Sequence, residues 1–161
     1  MTEKVTYSSP DTDPVQAIIN DTVRLVFRQA AAIELQDCGA PGTVPQKLYT
    51  VYTTFCGGYR IRFSFCAEER LLRRIAQNML ETEELTQEDI EECAKEFINI
   101  LCGHVVKSVF SQTKVSASFH TPYFVEGRYI PETDGDTPVV TTHYMDEHFD
   151  MAVLINDRFT S

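Results

Sequence analysis

The segment from Thr86 to about Gln112 constrains the fold more than any other, because its apolar residues recur at the three- and four-residue spacing of one helix face. Thr86 is a favourable N-cap, and Asp89 stands three residues later, where its carboxylate can complete a capping box. A long amphipathic helix of this kind must bury its apolar face against a sheet or other helices. The predicted core face consists of Ile90, Cys93, Ala94, Phe97, Ile98, Leu101, Val105 and Val109.

The opposite face of this predicted helix carries a polar stripe made of Glu92, Glu96, Asn99 and Gly103. Residues three and four positions apart lie together on a helix, so these four share one face, which points to solvent or a partner. A glycine inside a helix costs about 1 kcal/mol relative to alanine. It is usually a packing or bending site, but the close approach of another molecule's backbone would also offset that cost. Each residue alone is typical of helix surface, and together they form a candidate site.

The composition is typical of one globular domain, since 43% of the 161 residues are hydrophobic and 24% are charged. We expect a single domain over residues 1–161, with residues 1–12 as a flexible N-terminal segment. The formal net charge of −10 disfavours nucleic acid and anionic membrane surfaces as partners. The first residues contain no apolar signal core, and no apolar run approaches a membrane span, so we expect a cytoplasmic location.

The cysteines form an odd set of five without a Cys-x-x-Cys pair, which indicates reduced thiols rather than a disulfide framework. Cys93 and Cys102 lie on or beside the apolar helix face and are most simply small core residues.

The four histidines show no metal-ligand spacing on a shared helix. His143 and His148 flank Asp146 and Glu147, but a strand-end surface loop of mixed charge is a simpler interpretation than a metal site. His104 is expected to pack at the flank of the helix's core face. No metal site is therefore predicted in this chain.

Periodicity and turn signals predict an α+β domain in which two long helices and a third helix pack on one face of an antiparallel sheet. Gly57 and Gly58 stand between two alternating segments rich in β-formers and predict a two-residue hairpin turn. The predicted helices cover residues 14–32, 68–80 and 86–112. The predicted strands cover residues 33–37, 47–56, 59–66, 114–119, 123–125, 137–144 and 151–155.

This plan, with a helix that carries Glu-x-x-Asn-x-x-x-Gly at Glu96, Asn99 and Gly103, resembles the CheX-type chemotaxis phosphatases of the CheC/CheX/FliY group. The resemblance covers nearly the whole chain. CheC-type relatives carry two such helices, whereas the first helix here has no Glu-x-x-Asn spacing, so one site per chain is expected. Further similar segments are residues 27–34, residues 63–65 leading into Glu68 and Glu69, and residues 121–127.

The resemblance implies an enzyme that hydrolyses the aspartyl-phosphate of a CheY-like response regulator. Asn99 would enter the regulator's active site and orient the attacking water, and Glu96 would pair with a regulator lysine. Glu92 and Gly103 would contact the partner. The Mg²⁺ ion belongs to the regulator, so no cofactor is expected in this chain. Relatives of the CheX type are homodimers joined through sheet edges, and residues 138–144 are one segment that could supply such an edge.

The residue types suit this chemistry. Phosphoryl transfer depends on positioning and charge stabilisation rather than on covalent help from the protein. An amide both donates and accepts hydrogen bonds, and it carries no charge that would repel a phosphoryl group. An exposed glutamate is ionised near neutral pH, so it is better suited to an ionic contact than to general-base work.

Two other functions stay open at this point. The first is a binding module that docks a response regulator or a flagellar component without turnover, for which neither the amide nor the helix glycine would be needed. The second is a scaffold dimer with no phosphorylated partner. A thiol-redox enzyme is more remote, because the chain lacks the paired cysteines that such chemistry normally uses.

Overall fold

The computed structural model describes residues 14–39, 47–127 and 139–158, which form three helices and seven strands. The predicted flexible segment 1–12 and the first two residues of the predicted strand 137–144 lie outside the described residues. The helices are α1 (Pro14–Ala31), α2 (Glu69–Leu80) and α3 (Gln87–Thr113). The strands are β1 (Leu35–Cys38), β2 (Leu48–Gly57), β3 (Ile61–Glu68), β4 (Ala117–Phe119), β5 (Tyr123–Glu126), β6 (Val139–Asp146) and β7 (Met151–Arg158).

All seven strands belong to one sheet in the order β1-β6-β7-β3-β2-β4, and β5 also pairs with β2. Every pairing is antiparallel. The predicted α+β fold with an antiparallel sheet is therefore confirmed.

The core lies between the sheet and the helices, and Phe27 of α1 lies at its centre. The ring centroid of Phe27 is 4.6 Å from that of Phe97 in α3 and 5.5 Å from that of Phe65 in β3. All three rings are buried. One aromatic cluster thus joins two helices to the sheet, and large buried rings of this kind contribute strongly to core stability.

The α3 helix begins as predicted. Thr86 Oγ1 accepts a hydrogen bond from the Asp89 amide at 3.0 Å, and Asp89 Oδ2 accepts one from the Thr86 amide at 2.9 Å. All residues of the predicted core face are buried. At the other end, Lys114 adopts a left-handed conformation with φ of 64° and its amide donates to the Phe110 carbonyl. Because Lys114 caps the helix, β4 begins at Ala117, three residues later than predicted.

The start of β1 is also later than predicted. Ala32 has a φ of 56°, and the Ile33 amide donates a hydrogen bond to the Phe27 carbonyl at 3.0 Å. These residues therefore close α1, and the strand begins at Leu35.

The prediction of a two-residue turn at Gly57 and Gly58 is wrong. Phe55 pairs with Ile61, so the connection is longer, and Gly57 instead extends β2 to pair with β4. The Gly58 amide donates to the Ser116 carbonyl at 2.8 Å. A Cβ on Gly58 would lie 2.8 Å from that oxygen, so the glycine permits close approach of the β4 segment.

The β6–β7 connection is the predicted surface loop of mixed charge only in part, because Glu147 and His148 are exposed but the aspartates at its two ends are not. Asp146 and Asp150 are buried, with 5% and 1% exposure. Arg74 of α2 forms ion pairs with both carboxylates, and Arg70 pairs with Asp150 at 3.0 Å. Each buried charge thus has an opposite charge beside it, as burial requires. The turn is consequently fixed to α2.

Candidate functional site

The polar stripe of α3 is exposed as predicted, since Glu92, Glu96, Asn99 and Gly103 all face away from the core. In the described part of the chain, neither the Glu96 carboxylate nor the side-chain amide of Asn99 has a hydrogen-bond partner. Both polar groups are therefore available to another molecule.

Three members of this stripe lie in an open groove of about 570 Å³. Its walls come from three elements, namely the last turn of α2, the exposed side of α3 and the segment between β4 and β5. Gly103 lies one turn beyond the groove on the same helix. The lining residues are Met79, Leu80, Glu92, Cys93, Lys95, Glu96, Asn99, Thr121 and Pro122.

The walls are held by hydrogen bonds from neighbouring elements. The Asn78 side chain of α2 donates to the Ala31 carbonyl at the end of α1 at 2.6 Å. On the other wall, Thr53 Oγ1 donates to the His120 carbonyl at 2.5 Å, next to Thr121. Because each wall is tied to α1 or to the sheet, the position of the groove follows from the core of the fold.

Lys95 is a member of the groove that sequence reasoning missed. Its ammonium Nζ lies 3.0 Å from Glu92 Oε2 and 3.9 Å from Glu91 Oε2, and its side chain is 31% exposed. The hydrogen bond to Glu92 and the charges of both carboxylates raise the pKa of Lys95. The stripe therefore carries a cation beside its carboxylates, which the three- and four-residue spacing alone would have indicated.

Gly103 has open space around it. A Cβ built at this position meets nothing within 4 Å outside its own helix in the described chain. Packing within the chain therefore does not require a glycine here, which leaves contact with another molecule as a physical reason for it.

The expectation that His104 packs against the core is wrong, because His104 is exposed. Along α3 the buried face shifts from Cys93 in the first half to Cys102 and Val109 in the second half. His104 falls outside the shifted face and points to solvent near Gly103.

The thiol that lines the groove is Cys93, and it is protonated at neutral pH. Burial raises its pKa, and the negative charges of Asp89, Glu92 and Glu96 raise it further.

In the ranges the structure describes, no three His, Cys, Asp or Glu side chains lie close enough together to hold a metal ion.

Two amide side chains of α1, unlike the polar side chains of the stripe on α3, are buried. Gln16 and Asn20 are buried and hydrogen-bonded to each other at 3.1 Å. Tyr144 of β6 donates to Asn20 at 3.1 Å, and Asn156 of β7 donates to Gln16 at 3.0 Å. These amides join α1 to the sheet, so they are structural and do not form a second exposed stripe.

Comparison with protein families identifies the chain. Residues 49–143, more than half of the sequence, match the model of the family described as chemotaxis phosphatase CheX. No curated protein matches the chain significantly. Among the described residues, no helix has the length and apolar character needed to cross a bilayer.

Solved structures share the fold across nearly the whole chain. Chemotaxis protein CheX from Vibrio vulnificus superposes with a TM-score of 0.75 at 16% identity, covering 91% of this chain and 100% of that one. CheX in a CheX–CheY–BeF₃–Mg²⁺ complex from Borrelia burgdorferi has a TM-score of 0.71 at 15% identity, covering 89% and 97%. FliY from Thermotoga maritima has a TM-score of 0.64 at 14% identity, covering 95% and 91%. The family match and the shared fold together show that this chain belongs to the CheX chemotaxis phosphatase family.

Proposed function

We propose that this chain hydrolyses the aspartyl-phosphate of a CheY-like response regulator, with Asn99 as the residue that orients the attacking water. The observation that carries the proposal is the exposed pair of Glu96 and Asn99, one turn apart on α3 in the groove of a chain of the CheX family. A CheX protein of the same fold forms a complex with CheY in Borrelia burgdorferi.

The chemistry assigns a separate role to each side chain. The Asn99 amide, which has no partner in the described part of the free chain, accepts a hydrogen bond from the water and holds it in line with phosphorus. The Glu96 carboxylate pairs with a lysine of the regulator. Glu92 and Gly103 extend the contact surface along the same helix.

The metal belongs to the partner in this proposal. A phosphorylated aspartate that binds Mg²⁺ brings its own charge compensation to the transition state. The chain then needs no cofactor of its own, and its contribution is the geometry of water and amide. We also propose that it acts in the cytoplasm as a homodimer joined through sheet edges.

The roles of Asn99 and Glu96 are separable by experiment. A CheY-like regulator from the same genome, phosphorylated by a small-molecule phosphodonor with Mg²⁺, serves as substrate, and its beryllofluoride form serves for binding. Asn99→Ala should reduce kcat to the regulator's own hydrolysis rate while the Kd stays within about threefold. Glu96→Ala should raise the Kd by about tenfold, because a charged contact to the partner is lost.

The matched control is Gln29→Ala, which removes an exposed amide from α1. It should leave both constants unchanged. Full kcat in Asn99→Ala would contradict the proposed mechanism, and tight binding without any turnover by the wild-type chain would favour a docking module.

A further inference from the structure

We propose that the groove beside Asn99 receives a loop of the phosphorylated regulator that presents an apolar side chain next to an acidic group. Leu80 would contact the apolar side chain, and Lys95 would face the acidic group. This inference rests on the proposed function and names the surface by which the partner is recognised.

The apolar wall of the groove is the first reason. Leu80 is 48% exposed although it lies in a concave surface, and Met79 and Pro122 line the same groove. α2 ends there because Glu81 turns left-handed with φ of 54°, so Leu80 is held on the last helical turn. The groove has a volume of about 570 Å³, which is enough for the side chains of one loop. An apolar side chain in the partner would remove Leu80 from water.

The charge arrangement is the second reason. Lys95 is the single cation among the described residues that line the groove, and it lies 3.0 Å from Glu92. Mg²⁺ sites in proteins are built from carboxylates and phosphate oxygens, so the regulator is anionic where Asn99 must reach it. Uncompensated Glu92 would repel that surface. Lys95 neutralises Glu92 and presents positive charge to the partner.

The ion pair on α3 is weak enough to be rearranged. Exposed pairs three residues apart on a helix contribute little stability, because water screens them and both side chains must be ordered. The Lys95 ammonium carries three N–H donors, so it can turn toward a carboxylate of the docked loop and still lie beside Glu92.

The position of the reaction selects the occupant. For the Asn99 side chain to hold a water in line with phosphorus, the residues that flank the phosphorylated aspartate must lie over the groove that Asn99 lines. The groove is open to solvent along the helix, as a site for a protein loop must be. A loop of the regulator is therefore the occupant to which the proposal commits.

Steady-state kinetics with the phosphorylated regulator test the proposal, together with calorimetric titration of its beryllofluoride form. Leu80→Ser should raise KM and Kd by about tenfold, and Lys95→Gln by about fivefold. In both variants kcat should stay within about twofold of wild type, because the water-orienting amide is intact. Glu92→Gln removes the same ion pair and also the negative charge that would repel the partner, so its Kd should not rise.

Two variants away from the groove provide matched controls. Leu25→Ser removes an apolar side chain of similar exposure, 43%, from α1. Lys47→Gln breaks a surface ion pair with Glu69 at 3.4 Å. Neither should change KM or Kd, and urea unfolding should confirm that all variants are folded.

The outcomes separate this inference from the proposed function. If Leu80→Ser and Lys95→Gln bind like the controls while Asn99→Ala loses turnover, the docking groove is wrong and the phosphatase assignment stands. If Glu92→Gln weakens binding as much as Lys95→Gln, the ion pair is structural and Lys95 does not face the partner. If Asn99→Ala keeps turnover, the proposed function fails, whereas the titrations still test the groove.

Discussion

Asn99 and Gly103 are exposed residues whose presence in a helix indicates contact with a partner. Both are poor helix formers on the surface of a long helix, where packing against the described residues requires neither of them. Their presence is explained if a partner's active site reaches Asn99 and the partner's backbone approaches Gly103.

The replacement Gly103→Ala should separate folding from recognition. A Cβ at this position meets nothing nearby in the described chain, so alanine should raise the free energy of unfolding by about 1 kcal/mol. The added methyl group should weaken binding of the beryllofluoride-loaded regulator by about tenfold, because it collides with a closely packed partner. Urea unfolding and calorimetry measure the two effects. The control is Ser111→Ala on the exposed side of the same helix, which should leave binding unchanged; equal binding by Gly103→Ala would rule out close approach.

The buried thiol of Cys102 should make stability depend on alkaline pH. Burial raises its pKa in the folded chain, whereas an unfolded cysteine ionises near pH 8.5. Above that pH the unfolded chain loses a proton that the folded chain keeps, so the free energy of unfolding falls, by at most about 1.4 kcal/mol per pH unit for this group. Below that pH the thiol is protonated in both states, so it does not make the free energy of unfolding depend on pH. Urea unfolding at pH 8 and 10 under reducing conditions should show a shallower decline for Cys102→Ala, and equal declines would contradict this.

Sequence reasoning could place the exposed stripe because helix periodicity alone decides which positions share a face. It missed Leu80 and Pro122, since they reach the groove only through the packing of α2 and the β4–β5 segment. The prediction for His104 was wrong because the buried face of α3 shifts along the helix. A fixed rotation of about 100° per residue therefore does not describe both halves of the helix.

At the scale of elements, the N-terminus of α3 depends on the reciprocal hydrogen bonds between Thr86 and Asp89. Thr86→Ala should lower the free energy of unfolding by about 1 kcal/mol, because the Asp89 amide at the helix start loses its acceptor. Thr86→Ser keeps the hydroxyl group and should retain most of the stability. Urea unfolding of the three proteins checks this, and an alanine variant as stable as wild type would show that the cap contributes nothing.

Helix ends were harder to predict than helix existence. The strand starts after α1 and α3 were misplaced because Ala32 and Lys114 take left-handed conformations that favour glycine or asparagine, and neither residue signals that. The predicted turn at Gly57 was also wrong, because Gly57 pairs with β4, a strand that is distant in sequence. Long-range pairing decided the geometry where the local signal pointed to a tight hairpin.

At the scale of the whole molecule, the sheet has an edge that the described chain leaves open. β1 pairs only with the last four residues of β6, from His143 to Asp146. Among the described residues, Val139 to Thr142 therefore pair with β7 on one side and with no strand on the other. Open edges of this kind are available for pairing with another chain.

Sedimentation velocity should find the mass of two chains if the proposed homodimer forms through this edge. Val139 is 44% exposed, and Val139→Lys should shift the protein toward monomer, because a charged edge residue opposes strand pairing. Leu25→Lys places the same charge on α1 and should leave the mass unchanged. A wild-type monomer would rule out the dimer, and a dimer unaffected by Val139→Lys would place its interface elsewhere.

The central claim concerns catalysis by Asn99, and the most direct measurement is phosphate release from a phosphorylated CheY-like regulator present in large excess over this chain. With the wild-type protein, each chain should release many phosphates and shorten the lifetime of the phosphorylated regulator. With Asn99→Ala, release should fall to the rate of the regulator alone although binding persists. Equal acceleration by the two proteins would contradict the claim, as would no acceleration by a folded wild-type chain that binds the regulator.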